Sequence, residues 1–249
     1  MNDNQLLKDI YYETISENPN LVNLDEMSYL VSSRAKDVLK NVPKVTKKEF
    51  ISRVEKGDII LAFSPKKNIK KYMVAKLIAK LMASIQASPY TSSKFVYDKE
   101  DAIGYGITVE GDAATEPNKV RVYPIKNILK ERQELCLVRV NTSKDQKSKS
   151  ALYMKSKVGL GYNNSDLYKS VWNRFFDRKI LPFFKDEPID PKEIKNMQRL
   201  LFCSSIIALG YIVGGYKLGF NNKHPYDTWP IDFLVDENTE KICRVEYGY

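Results

Sequence analysis

Residues 200–216 read LLFCSSIIALGYIVGGY, the most apolar stretch of the chain. Its polar side chains gather at the start, in Cys203, Ser204 and Ser205, and an apolar run follows. A run without a polar face is typical of a buried helix. A cysteine in the first turn of such a helix lies where backbone N–H groups and the helix dipole favour a thiolate. Free cysteine is also a common core residue, and composition favours that simpler interpretation.

Length and cysteine usage limit the classes of protein to consider. The 249 residues fit one large domain, or one domain with an appendage. Three widely spaced cysteines, Cys136, Cys203 and Cys243, indicate a reducing compartment and neither a disulfide framework nor a metal site. The first residues lack the pattern of a signal peptide, and residues 200–216 are shorter than the roughly 20 apolar residues of a membrane span. We therefore expect no cofactor, no signal peptide and no transmembrane segment.

The charge balance is basic. There are 40 Lys and Arg residues against 31 Asp and Glu, a formal net charge of +9. This excess suits an anionic partner, although a basic protein without one is the more common case. The segment Lys66–Lys80 is rich in lysine and lies within a predicted amphipathic helix at 66–86. Such a helix either binds an anionic polymer or packs on its own sheet with a solvated lysine face, which is the default interpretation.

The first fifty residues are predicted to be helical. An N-cap at Asn23 opens a helix to Val42, and a capping box at Thr46 opens a short helix that ends at Gly57. A buried strand follows to Phe63. The sequence thus predicts a helical N-terminal extension at 1–50 and a main domain at 51–249.

A β-rich region follows, rich in branched and aromatic residues between turn signals. It predicts strands at Phe95–Tyr97, Tyr105–Glu110, Val120–Tyr123 and Leu135–Val140, and a last strand at Lys241–Tyr247. The polar segment 141–150 is predicted to be an exposed loop.

Two more helix starts stand at Ser165 and Asp190. If the Asp190 helix runs through Gly210, Cys203 lies in its middle. If it breaks near Arg199, Cys203 opens a new helix. Periodicity leaves both alternatives open.

Three segments in order carry a family resemblance. They are Gly57-Asp58-Ile59-Ile60-Leu61, then SPYTSSKFV at 88–96, then LFCSSII at 201–207 with Pro-Ile-Asp-Phe-Leu after it at 230–234. Together they resemble the circularly permuted papain-like hydrolases of the NlpC-like superfamily, the YiiX/YebB type with relatives in poxviruses and phages. The resemblance covers roughly Val45–Leu234. It implies an α+β fold in which helices pack on an antiparallel sheet.

The resemblance also implies a site. Cys203 takes the position of the nucleophile, Lys94 stands where the family has its histidine, and Glu110 takes the acidic position. The family pattern Ser-His-x-x-Ile is thus broken, and Ser205 replaces the acidic residue of the Cys-Ser-Glu motif. A lysine, with an ordinary pKa of about 10.4, could hold a thiolate but would shuttle protons poorly at neutral pH. The single histidine, His224, lies in a Lys-His-Pro turn and is more simply an exposed loop residue.

Two hypotheses of function follow. The missing histidine favours a degenerate, catalytically impaired domain used for binding or assembly, as in a phage or viral structural protein of the cytoplasm or virion. Its partners would be proteins such as virion components, or an anionic polymer on the Lys66–Lys80 helix. The alternative is a cysteine-dependent hydrolase of amides or esters, a peptidase or amidase, with Cys203 as nucleophile.

Overall fold

The computed structural model describes residues 38–63, 90, 92–98, 105–110, 119–131, 134–160, 203–216, 220, 225 and 228–246. These residues form an α+β fold around one antiparallel sheet of six strands. The strands are β1 Ile59–Phe63, β2 Ser92–Asp98, β3 Tyr105–Glu110, β4 Lys119–Pro124, β5 Glu134–Val140 and β6 Thr239–Glu246, in the order β4-β3-β2-β1-β5-β6. The described helices are α1 Lys47–Arg53, α2 Ile125–Glu131, α3 Lys144–Ser156, α4 Cys203–Val213 and α5 Pro230–Val235. The predicted strands are confirmed with slightly shifted ends.

Helices cover both faces of this sheet. Side chains alternate between the faces along each strand, so neighbouring residues join different cores. Ile59, Leu61 and Phe95 lie on the face that packs against α3, α4 and α5, called here the cysteine face. Ile60 and Val96 lie on the opposite face, under α1 and α2.

The described part of the predicted N-terminal extension packs onto the sheet. Leu39 and Val42 are buried in the core of the cysteine face, and Phe50 of α1 is fully buried on the opposite face. The backbone at 43–45 bonds to Arg244 of β6. The capping box at Thr46 is confirmed, but α1 ends at Arg53 instead of the predicted Gly57. The predicted boundary at residue 50 thus falls inside a packed helix, and 1–37 lie outside the described residues.

The predicted loop at 141–150 is wrong, because α3 begins within it. Ser143 caps this helix through a capping box with Gln146. The segment is polar because the helix buries only a narrow side, formed by Ser150, Ala151 and Met154. That side lies very close to α4. A Cβ atom at Gly214, just after α4, would stand 2.3 Å from the Ser150 Oγ and 2.7 Å from the backbone carbonyl oxygen of Gln146, so only glycine fits there.

Several predictions fall outside the described residues. They are the Lys66–Lys80 helix, the helix starts at Ser165 and Asp190, and the turn with His224. Within the described ranges, no helix is long and apolar enough to cross a membrane.

Candidate functional site

Cys203 lies at the described start of α4, and its side chain is only 4% exposed. It belongs to the core of the cysteine face, together with Ile206, Ile207 and Tyr211 of the same helix. The apolar run after Cys203 is therefore a buried helix, as its composition predicts. The residues just before it, 161–202, lie outside the described part, so the placement of Cys203 at a helix start stays a prediction.

Tyr211 fixes α4 on the sheet. Its hydroxyl donates a hydrogen bond to the Gly57 carbonyl at the entry to β1. Its ring meets Phe95 of β2 edge to face, with 5.8 Å between centroids, and Phe220 at 5.7 Å. Burial raises the pKa of the Tyr211 hydroxyl well above its usual value, so the donor stays protonated in alkaline solution as well. The helix that carries Cys203 is thus tied to the first two strands.

Lys94 does not meet Cys203. In the sheet register Lys94 pairs with Ile60 of β1 and with Thr108 of β3. Directly paired residues of antiparallel strands share a face, and Ile60 belongs to the core under α1 and α2. The Lys94 side chain, 1% exposed, therefore lies across the sheet from Cys203. The proximity of Lys94 to Cys203 expected from the sequence is therefore wrong. Side chains alternate between the two faces of a strand, so an alignment that is off by one residue places a side chain on the wrong face.

Ser93 and Phe95 are the β2 residues that do face α4. Ser93 pairs with Leu61, and Phe95 pairs with Ile59, both on the cysteine face. The Ser93 Oγ and the Ser204 Oγ of α4 are both buried without a hydrogen-bond partner in the described structure. Neither a serine hydroxyl nor a phenyl ring titrates near neutral pH, so this part of β2 supplies no general base.

Glu110 and His224 are the other two candidates. Glu110 is the last residue of β3, where its backbone pairs with Lys119 of β4, away from β1. Its side chain and the whole of His224 lie outside the described part of the structure.

A buried ion pair explains the aspartate of the Gly-Asp-Ile-Ile-Leu segment. The Asp58 side chain is fully buried, with its Oδ1 2.8 Å from the Arg139 Nε and its Oδ2 2.9 Å from the Arg139 Nη2. The Glu55 backbone N–H also donates to the Oδ2, at 2.7 Å, and the Glu55 carboxylate lies 3.1 Å from the Arg139 Nη1. Burial raises the pKa of Asp58, and the Arg139 guanidinium opposes that rise. This network joins the turn before β1 to strand β5, so the role of Asp58 is structural.

The remaining cysteines are core residues. Burial raises the pKa of Cys136 to about 12 and that of Cys243 to about 11. Both side chains are fully buried, Cys136 on the cysteine face and Cys243 on the opposite face. Among the described residues, no group of three or more His, Cys, Asp or Glu side chains could hold a metal ion.

Sequence reasoning missed the Asp58–Arg139 pair and the Ser93 position. Asp58 and Arg139 are 81 residues apart, and no local pattern connects them. Ser93 could have been found by assigning Phe95, the largest apolar residue of the strand, to the core that packs on the apolar helix. Its neighbour Lys94 would then have fallen on the other face.

Comparison with known proteins adds no further residues to this site. No protein-family model matches the chain, and no curated protein matches it at a significant level.

Proposed function

We propose that this chain is a catalytically impaired papain-like domain, of the permuted NlpC-like type, that serves binding or assembly. Its support is the order of elements along an antiparallel sheet. A Gly-Asp strand comes first, further strands follow, and a buried helix that carries Cys203 comes after them. In this proposal the cysteine is a remnant of the nucleophile position and acts as a core residue.

The observation that carries the proposal is the position of Lys94 on the face away from Cys203. A thiol hydrolase needs a group that takes the thiol proton and later protonates the leaving group. Lys94 cannot reach the sulfur through the sheet, and the β2 residue facing α4 beside it, Ser93, is a hydroxyl. The described surroundings of Cys203 therefore favour binding over catalysis.

The partners in this proposal are those expected from the sequence. A protein partner, such as a virion component, would use the surface of the domain. An anionic polymer would use basic surfaces such as the Lys66–Lys80 helix, which lies outside the described residues.

Assays of hydrolysis on the full chain test the proposal. With p-nitrophenyl acetate and a panel of peptide amides, we expect the wild type and Cys203→Ala to turn over substrate at rates within about twofold. The physical reason is that a thiol without a base contributes little beyond background. Cys243→Ala is the matched control, because it removes a buried thiol from the other face.

A hydrolysis rate that falls tenfold or more in Cys203→Ala, and not in Cys243→Ala, would establish the hydrolase alternative. Circular dichroism of each variant confirms that the comparison is made between folded proteins.

A further inference from the structure

Helix α3 presents a strongly basic surface. Residues 144–157 hold five lysines and a single acidic residue, Asp145. Lys144, Lys149 and Lys155 are exposed, and we call the exposed half of the helix that carries them the α3 lysine face. Lys144 and Lys149 fall within the segment 141–150 that was predicted to be a loop, and all three lysines are separate from the Lys66–Lys80 lysines.

The lysines of the α3 lysine face spread over the exposed half of the helix. At 3.6 residues per turn and 1.5 Å of rise per residue, Lys144 and Lys155 lie within about 20° of each other and about 16.5 Å apart along the axis, while Lys149 lies about 120–140° round the axis from both. Asp145 is paired with Lys149 at 2.7 Å, but both side chains are more than half exposed. An exposed ion pair of this kind stabilises by about 0–1 kcal/mol. The Lys149 ammonium can therefore exchange Asp145 for a phosphate at little cost.

Aromatic rings lie beside two lysines at the end of α3, Lys155 of the α3 lysine face and Lys157 just after the helix. The Lys155 Nζ is 5.7 Å from the centroid of the Tyr97 ring, and the Lys157 Nζ is 4.8 Å from that of Tyr153. Both tyrosines are partly exposed. Cationic and aromatic side chains placed side by side are a combination by which proteins hold single-stranded nucleic acid, with phosphates on the cations and bases on the rings.

A lipid surface fits this helix less well. A helix that lies on a bilayer needs a broad apolar face toward the lipid. The apolar side of α3, with Ala151 and Met154, is already buried against the sheet and α4. Leu152 is the exposed large apolar residue of the helix, at 65%, while Val158 and Leu160 follow beyond its end.

We propose that the α3 lysine face binds the phosphate backbone of single-stranded nucleic acid. This inference rests on the proposed binding role and names a partner class for it. Charge complementarity carries it, because the face is basic within a chain of net charge +9.

The test compares two triple variants of the full chain. Lys144→Gln/Lys149→Gln/Lys155→Gln neutralises the face. Lys48→Gln/Lys56→Gln/Lys130→Gln is the control and removes the same number of charges from exposed lysines elsewhere. Lys48 lies in α1 and Lys130 in α2, the helices on the opposite face of the sheet, and Lys56 lies in the turn after α1. Fluorescence anisotropy with a labelled 20-nucleotide oligo-dT, over a range of NaCl concentrations, gives Kd and its salt dependence.

We expect the α3 triple variant to bind at least tenfold more weakly. Three lost phosphate contacts should lower the slope of log K against log salt by about 2, at about 0.7 per contact. The control triple variant should stay within about threefold of the wild type.

Three outcomes would overturn the inference. They are equal weakening by both triple variants, no oligonucleotide binding by the wild type at low salt, and binding to phosphatidylserine vesicles that depends on the α3 lysines while oligonucleotide binding does not. The two tests are independent. Hydrolysis that depends on Cys203 would contradict the proposed function without changing the oligonucleotide result, and the three outcomes above would contradict the oligonucleotide inference without bearing on catalysis.

Discussion

Replacement of Arg139 with alanine should lower the free energy of unfolding by about 3–5 kcal/mol at pH 7. The variant removes both guanidinium bonds from the Asp58 carboxylate, which is fully buried in the wild type. An uncompensated buried charge is among the most destabilising changes that one substitution makes. Urea denaturation followed by circular dichroism measures the loss.

This loss should depend on pH. Burial already raises the pKa of Asp58, and removal of the Arg139 guanidinium raises that pKa further. A carboxyl group with a raised pKa in the folded state binds its proton more readily there than in the unfolded chain. The folded state is thus favoured at acid pH, and this advantage is lost as the pH rises through the folded pKa. The deficit of Arg139→Ala should therefore shrink between pH 7 and pH 5.

Two further variants sharpen this test. Lys44→Ala breaks an exposed ion pair with Glu246, and its cost should stay below about 1 kcal/mol. Asp58→Asn in the Arg139→Ala background removes the buried charge, so it should recover part of the stability and flatten the pH dependence. A deficit of Arg139→Ala no larger than that of Lys44→Ala would contradict the buried pair.

Replacement of Tyr211 with alanine should cost about 3–5 kcal/mol, as for other large aromatic side chains truncated in a core. The ring is fully buried and meets Phe95, Phe220 and Tyr216. Its loss would open a cavity between α4 and the sheet, at the helix that positions Cys203. Urea denaturation again gives the magnitude.

Tyr211→Phe separates the hydroxyl from the ring. It keeps the ring but leaves the Gly57 carbonyl without its Tyr211 donor, which should cost about 1–2 kcal/mol. Val213→Ala is the matched control, since Val213 belongs to the same helix and is 44% exposed. If Tyr211→Ala costs no more than Val213→Ala, α4 does not pack on the sheet through Tyr211.

The strands were predictable because their signals are local. Short runs of branched and aromatic residues between turns located β3 at Tyr105–Glu110 with the observed ends. The capping box at Thr46 likewise located α1. The buried helix at Cys203 followed from a run of apolar residues without a polar face.

The errors concern properties that depend on distant residues. Alternation puts Lys94 on the face opposite Phe95, but which of the two faces packs under α4 is fixed by pairing with Ile60 and Thr108, which belong to other strands. Helix α3 was predicted as a loop because its sequence is polar and its buried side is narrow, and that side packs against Gly210 of α4 and Gly214 just after it, far along the chain. A capping box at Ser143 was the local signal for that helix.

The chemical state of Cys203 is the central question, and alkylation of the native protein answers it most directly. The folded chain is treated with iodoacetamide at pH 6, and mass spectrometry follows each cysteine over time. We expect Cys136, Cys203 and Cys243 to react slowly and at similar rates, because all three are buried and reaction has to wait for opening of the fold. Rapid labelling of Cys203 alone would show an activated thiolate and contradict the account of an impaired domain.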